Sequence, residues 1–361
     1  MIKRYSNFLL LVFCFGLTIG FGFHNLSTTE AQTQDSTQRS RQVAPTPTPT
    51  VKTIGDLAPP PPLPVVDDTP IVIKSELVDL SVRVVDRNNR PISSLNQNDF
   101  KIYEDNVLQK IEFFDKREVP TNYSLVIDNS GSLRSQLEKV IEAGKILVDA
   151  NRPDDETSLI RFVSRDKISV EQPFTADKDE LFYRLDNLFI EGGQTAIRDA
   201  VYLAVESVDN YEKSDKATDR KRRAIILISD GEDRDSYYTE TQLFQLLREA
   251  NVQIYTVGFI NELDNDGNLI RKSPQKKAKG FLERLAEETG GKSYFPANIS
   301  ELNGIAQDIA KELRTQYSIG YIPTNDRKDG SYRSIRVLIN EGPNGQKRIP
   351  ITRSGRTAEK Q

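Results

Sequence analysis

Short strand-like runs alternate with helix-like segments through the middle of the chain, and this alternation constrains the fold more than any other feature. The runs are bounded by turn residues and predict strands at residues 124–127, 157–163, 167–171, 224–229, 252–259 and 292–295. The segments between them predict helices at residues 133–150, 178–188, 196–208, 240–250, 278–288 and 299–314. We therefore expect an α/β fold over residues 121–316, with a doubly wound, mostly parallel sheet and helices on both faces.

Two regions with a strand pattern flank this α/β domain. Residues 71–120 predict about three strands, and residues 317–353 predict a similar number, separated by glycine-containing turns. Neither region has enough strands to form a stable sheet domain alone. We therefore expect the two flanks to pair into one small β-sandwich, with the α/β domain inserted between them. The last residues, 354–361, are expected to form a disordered tail.

The N-terminus has the pattern of a secretory signal peptide. Lys3 and Arg4 precede an uncharged apolar run at residues 8–23, and the small residues Thr29 and Ala31 suit a cleavage site. Cleavage would remove residues 1–31 and export the protein to the periplasm, the cell surface or the medium. The alternative is an uncleaved run that tethers the protein to a membrane. Residues 32–70 are rich in Pro, Ser, Thr and Gln, which predicts a disordered, extended linker.

The composition of the chain narrows its chemistry. The only cysteine, Cys14, and the only histidine, His24, both precede the expected cleavage site. The mature chain would therefore lack cysteine nucleophiles, Ser-His-Asp triads, His/Cys zinc sites and disulfides. A metal in it would be a hard cation on oxygen ligands. The whole chain has a net charge of −4 and residues 1–31 carry a net +1, so the mature chain is mildly acidic, which argues against nucleic acid as a partner.

Oxygen-bearing side chains occur where the predicted strands end. Asp128, Ser130 and Ser132 follow the first strand of the α/β domain, Asp230 follows the strand at residues 224–229, and Thr195 lies in a glycine-containing loop. Because ligands of open α/β sheets bind beyond the carboxyl ends of strands, we expect these side chains to meet. Three hydroxyls and two carboxylates, completed by water, suffice for an octahedral Mg²⁺ site. Alternatively, Asp128 and the serines form an Asx turn and cap the next helix.

The same five residues carry a resemblance to a known family. Asp128-x-Ser130-x-Ser132, followed by Thr195 and Asp230, resembles the metal-ion-dependent adhesion site of von Willebrand factor type A domains. In the flanks, Asn98-Asp-Phe-Lys-Ile-Tyr-Glu-Asp105 and Gln316-Tyr-Ser-Ile-Gly-Tyr321 resemble a related family of exported proteins first recognised in acidobacteria. One departure is Gln194, which stands between the glycines of the loop and Thr195 but leaves the hydroxyl in place.

The resemblance implies both a ligand set and a function. The hydroxyls of Ser130, Ser132 and Thr195 would contact Mg²⁺, or Mn²⁺ or Ca²⁺, directly or through water. Asp128 and Asp230 would ligate the ion or hold its waters. The implied function is non-enzymatic, with no catalytic residue: a partner protein supplies a carboxylate to an open position on the metal. Two other functions remain open, metal-dependent hydrolysis and a structural role in the envelope with an incidental metal.

Overall fold

The structure is a computed structural model that describes residues 77–211, 221–261, 263 and 273–360. The predicted signal segment, the linker and the start of the N-terminal flank lie outside these residues. The N-terminal flank forms β1 (Val78–Val85), β2 (Phe100–Glu104), β3 (Val107–Gln109) and β4 (Ile111–Asp115). The α/β domain follows as β5 (Thr121–Asp128), α1 (Leu137–Asp149), β6 (Glu156–Phe162), β7 (Ile168–Thr175), α2 (Lys178–Asp186), α3 (Ile197–Asn210), β8 (Arg222–Ser229), α4 (Glu240–Glu249), β9 (Gln253–Gly258), α5 (Pro274–Thr289), β10 (Ser293–Tyr294) and α6 (Leu302–Arg314). The C-terminal flank forms β11 (Tyr317–Tyr321), β12 (Tyr332–Ile339), β13 (Ile349–Ile351) and β14 (Gly355–Thr357).

The α/β domain is built on a six-stranded sheet in the order β10-β9-β8-β5-β6-β7. All neighbouring strands are parallel except β7, which runs antiparallel to β6 at one edge. From β5 the chain crosses to β6 on one side and later returns to β8 on the other. The carboxyl end of β5 is therefore a topological switch point, where a crevice for ligands opens in sheets of this kind.

Side chains that alternate along each strand pack against helices on both faces of the sheet. Leu125 and Ile127 of β5 lie in a core shared with α1, α2 and α6, whereas Val126 lies in a core shared with α3, α4 and α5. Every residue of β5 is buried. This double burial explains why the central strands read as continuous apolar runs in the sequence. The predicted α/β fold is confirmed.

The flanks form two four-stranded antiparallel sheets, in the orders β13-β1-β11-β4 and β14-β12-β2-β3. Strands of the N-terminal flank pair with strands of the C-terminal flank in both sheets: β1 pairs with β11 and β13, and β2 pairs with β12. Side chains from both flanks fill one core, among them Leu80, Ile102, Ile319 and Val337. The α/β domain is thus inserted into a sandwich that neither flank could form alone.

Three expectations about the flanks and the first helix need correction. The N-terminal flank has four strands instead of about three, because residues 107–115 form two strands, β3 and β4, which belong to different sheets. The expected disordered tail contains β14, because Arg356 is buried beside Glu104 and their side chains form an ion pair of 2.9 Å. The helix predicted from residue 133 begins as a 3₁₀ helix at Gly131–Gln136 before α1. No helix within the described residues is both long and apolar enough to span a bilayer.

Candidate metal site

Backbone hydrogen bonds join the three loops that carry the predicted ligands. We call these loop A (residues 128–132), loop B (residues 188–196) and loop C (residues 229–238). The Glu191 N–H donates to the Asn129 carbonyl over 3.1 Å, which joins loops A and B. The N–H groups of Arg234 and Asp235 donate to the Thr195 carbonyl over 2.8 and 3.0 Å, which joins loops B and C. The loops that carry the predicted ligands therefore lie together beyond the carboxyl ends of the parallel strands β5 and β8.

The Asp128 carboxylate is fully buried at the end of β5. Its Oδ1 accepts the Ser130 N–H over 2.9 Å, and its Oδ2 accepts the Ser229 hydroxyl over 2.7 Å. Burial, together with the negative charge of Asp230, raises the pKa of Asp128 to about 7. Two buried carboxylates thus repel each other across the site. A cation between them would offset this repulsion.

The Asp230 carboxylate has a buried oxygen without a partner. Its Oδ1 accepts the Glu232 N–H over 2.9 Å. Its Oδ2 is buried and has no hydrogen-bond partner among the residues that the structure describes. Leaving such a group unsatisfied costs on the order of 1–3 kcal/mol, and more when it is charged. A hard cation, or a water bound to one, would satisfy this oxygen, so the site fits the metal that the sequence predicts.

The two serines of loop A face each other. Ser130 is buried, Ser132 is exposed, and their Oγ atoms are 3.0 Å apart. Ser130 occupies the N-cap position of the 3₁₀ helix, but its hydroxyl makes no capping hydrogen bond. The Asx turn of the alternative interpretation is present, because Asp128 accepts the Ser130 N–H, whereas helix capping by the Ser130 hydroxyl is absent. Asx geometry and a metal site are compatible, since a carboxylate oxygen has two lone pairs.

Two buried polar residues support the site and were not singled out in the sequence. Ser229 donates to Asp128 and accepts the Gly231 N–H over 3.0 Å, so it couples the ends of β5 and β8. The sequence signal for Ser229 is a lone hydroxyl at the end of an apolar strand. Asn129 donates from Nδ2 to the Phe189 carbonyl over 3.0 Å. No local pattern predicts that contact, because it depends on how loops A and B pack.

The other acidic residues of loop C are paired with arginines. The pairs are Glu232 with Arg234, Asp233 with Arg198, and Asp235 with Arg165. These three carboxylates are thus neutralised by neighbouring cations, whereas the buried Asp230 is the loop C residue whose negative charge acts on Asp128. Within the described residues, no three His, Cys, Asp or Glu side chains gather into a metal-binding group. The candidate site therefore depends on hydroxyls as much as on carboxylates.

Comparisons with known proteins identify relatives of this chain. A relative from Synechocystis, "Uncharacterized protein sll0103", is 28% identical over 226 residues, covering 62% of this chain and 48% of the relative. The human inter-alpha-trypsin inhibitor heavy chain H4 is 23% identical over 242 residues, covering 61% of this chain and 23% of that protein. The chain therefore spans about half the length of the first relative and about a quarter of the second.

Solved structures with a similar fold include a von Willebrand factor type A protein from Catenulispora acidiphila. It has a TM-score of 0.44 and 13% identity, covering 72% of this chain and 76% of that one. The vWF domain of the type V pili tip protein Mfa5 from Porphyromonas gingivalis has a TM-score of 0.41 and 14% identity, covering 55% and 97%. The family model described as the von Willebrand factor type A domain matches residues 124–308, more than half of the chain. The chain therefore belongs to the von Willebrand factor type A domain family.

Proposed function

We propose that this protein is an exported binding protein that holds a carboxylate of a partner protein through a divalent metal. The ion would be Mg²⁺, with Mn²⁺ and Ca²⁺ as alternatives, and its ligands would be Asp128, Ser130, Ser132, Thr195 and Asp230. Domains of this family typically mediate protein–protein interaction or adhesion, and they are generally non-enzymatic. The adhesion function extends that general role to a specific site on this chain.

The unpaired Asp230 Oδ2 is the observation on which the proposal depends. A buried carboxylate oxygen with no hydrogen-bond donor is rare in folded proteins and calls for a missing partner. The pKa of the buried Asp128 is also raised, because burial and the negative charge of Asp230 both disfavour its ionised form. A divalent cation accounts for both features at once, and oxygen ligands select a hard one.

The ligand set favours binding of an anion. Three of the five side chains are neutral hydroxyls, so a bound ion retains more positive character than it would in a carboxylate-rich site. Mg²⁺ favours six oxygen ligands and keeps exchangeable waters in protein sites. A carboxylate from a partner can replace such a water. The chain's own residues would hold the ion and leave its outward side to the partner.

The proposal includes export of the protein, and two other functions compete with it. The signal-peptide pattern of residues 1–31 supports export, with a membrane tether as the alternative outcome at that segment. A metal-dependent hydrolase would need a general base, and the sole histidine of the chain, His24, lies in that segment. A structural envelope protein would retain the fold whether or not the metal is bound.

Calorimetric titration with Mg²⁺ and Mn²⁺ tests the proposal. We expect one ion per chain, and we expect Asp128→Ala and Asp230→Ala to abolish binding. Asp154→Ala is the matched control, since Asp154 is exposed on the loop before β6 and should leave binding unchanged. Capture of envelope proteins should then be lost with chelator and with Asp128→Ala. Chelator-insensitive capture would contradict the proposal, and metal-dependent turnover of a phosphoester or peptide would favour the hydrolase instead.

A further inference from the structure

Two exposed aromatic side chains stand on the loops that carry the candidate ligands. Phe189 on loop B is 55% exposed, and Tyr237 on loop C is 72% exposed. Phe189 is the only phenylalanine among the large hydrophobic side chains that the described residues expose. Aromatic residues are enriched at the energetically dominant positions of protein interfaces. These two rings are therefore candidates for contacts with a partner beside the metal.

Phe189 is held outward by the packing of its neighbours. Leu188 is buried and Ile190 packs against the same core, so the backbone on both sides of Phe189 is anchored. Its carbonyl accepts the side-chain N–H of Asn129, which follows the ligand Asp128 directly. The Arg161 guanidinium lies 5.1 Å from the centroid of the ring. The Phe189 backbone is thus tied to loop A, and its ring contacts Arg161 of β6.

The backbone of Tyr237 on loop C is held by a hydrogen bond to α3. The Asp199 carboxylate, in the first turn of α3, accepts the N–H groups of Tyr237 and Tyr238 over 2.8 and 2.9 Å. Tyr238 stacks on Tyr202 with 3.8 Å between centroids. The Tyr237 ring meets Tyr238 edge-on at 5.4 Å. Tyr237 is therefore exposed but pre-organised by contacts beneath it.

We infer that Phe189 and Tyr237 form an aromatic rim that sets the specificity of the metal site. The partner's metal-binding carboxylate would be flanked by aromatic or large apolar side chains that contact these rings. Rigid rings supply contact area while losing little conformational entropy on binding, and aromatic pairs add stabilisation beyond the buried area. The inference rests on the proposed function, because the metal fixes where the carboxylate of the partner sits.

Two acetylated and amidated pentapeptides test the rim, Gly-Phe-Asp-Phe-Gly and Gly-Ser-Asp-Ser-Gly. The measurement is the broadening of peptide proton NMR signals by Mn²⁺ bound to the full chain, titrated to give dissociation constants. We expect the phenylalanine peptide to bind about ninefold more tightly, since each of the two aromatic contacts contributes roughly threefold. Mn²⁺ affinity is measured on the same samples.

Rim variants locate the preference on the two rings. Phe189→Ser and Tyr237→Ser should each lower the preference about threefold without changing Mn²⁺ affinity. Tyr183→Ser is the control, because Tyr183 is 64% exposed on α2, outside the three loops, and should keep the full preference. Equal binding of both peptides, or a preference that survives both rim variants, would overturn the rim while leaving the metal site intact. Failure of Mn²⁺, or of both peptides, to bind would instead overturn the proposed function, and the rim with it.

Discussion

Removing the Glu312 carboxylate should destabilise the protein strongly. This carboxylate neutralises a buried arginine where the α/β domain meets the sandwich. Glu312 lies on α6 of the α/β domain, and Arg83 lies on β1 of the sandwich. Their side chains form an ion pair and are only 1% and 3% exposed. Lys292 also contacts Glu312, over 3.3 Å. Glu312→Leu would leave the Arg83 guanidinium buried without a counter-charge.

The expected size of the effect follows from this burial. Removing one partner of a buried pair typically costs about 3–5 kcal/mol, because an uncompensated charge stays in the interior. Lys292 adds little, since it is 24% exposed and keeps its pair with Asp308. The double variant Arg83→Met/Glu312→Leu removes both charges and should recover most of the loss, because well-packed apolar residues can replace a buried pair.

Urea unfolding followed by circular dichroism and by tyrosine fluorescence measures these changes in the free energy of unfolding. Coincident transitions would show that the sandwich and the α/β domain unfold as one cooperative unit. Lys145→Ala serves as the control, since its pair with Asp186 is 32% and 57% exposed and should contribute less than about 1 kcal/mol. A loss below about 1 kcal/mol for Glu312→Leu, or a double variant as unstable as the single one, would refute this reasoning.

Three further predictions concern the metal loop, the last strand and the ion. Gly231→Ala should lower both Mn²⁺ affinity and Tm, because Gly231 has a φ of +81° and an added Cβ would lie 3.0 Å from the Ala278 carbonyl oxygen; an unchanged Tm would contradict this. Arg356→Met should cost about 3–5 kcal/mol in urea unfolding, because Glu104 stays buried without its cation; a loss typical of a surface residue would count against it. Mg²⁺ at 100 times its Kd should raise the free energy of unfolding by about 2.7 kcal/mol, and an equal rise in Asp128→Ala would disprove specific binding.

Local patterns predicted the α/β domain because its strands and helices carry their own periodicity. β5 and β8 are buried along almost their whole length, so their apolar runs stand out in the sequence. The positions of Asp128 and Asp230 follow from the same signal, since each marks the point where a buried strand ends. Parallel pairing of β5 with β8 then places the two carboxylates at the same end of the sheet, where the carboxyl ends of the strands lie.

Contacts between distant segments could not be predicted from local sequence. The strands β3 and β4 are separated only by Lys110, yet they join different sheets. The reason is that β3 forms a hairpin with β2, whereas β4 pairs with the distant strand β11, which no local pattern specifies. The buried Glu104 accepts the Tyr321 hydroxyl, which is 217 residues away. Ser229 was missed for the same reason, since its role appears only when β5 and β8 are adjacent.

Direct coordination of a partner carboxylate to the bound metal is the central claim, and electron–nuclear spectroscopy of Mn²⁺ tests it most directly. The sample is the full chain loaded with Mn²⁺ and saturated with an aspartate peptide labelled with ¹³C at the side-chain carboxylate. We predict a ¹³C hyperfine coupling to Mn²⁺ that disappears in Asp128→Ala and with the corresponding asparagine peptide. One Mn²⁺ bound per chain through Asp128 and Asp230, with no ¹³C coupling at saturating peptide, would contradict the account.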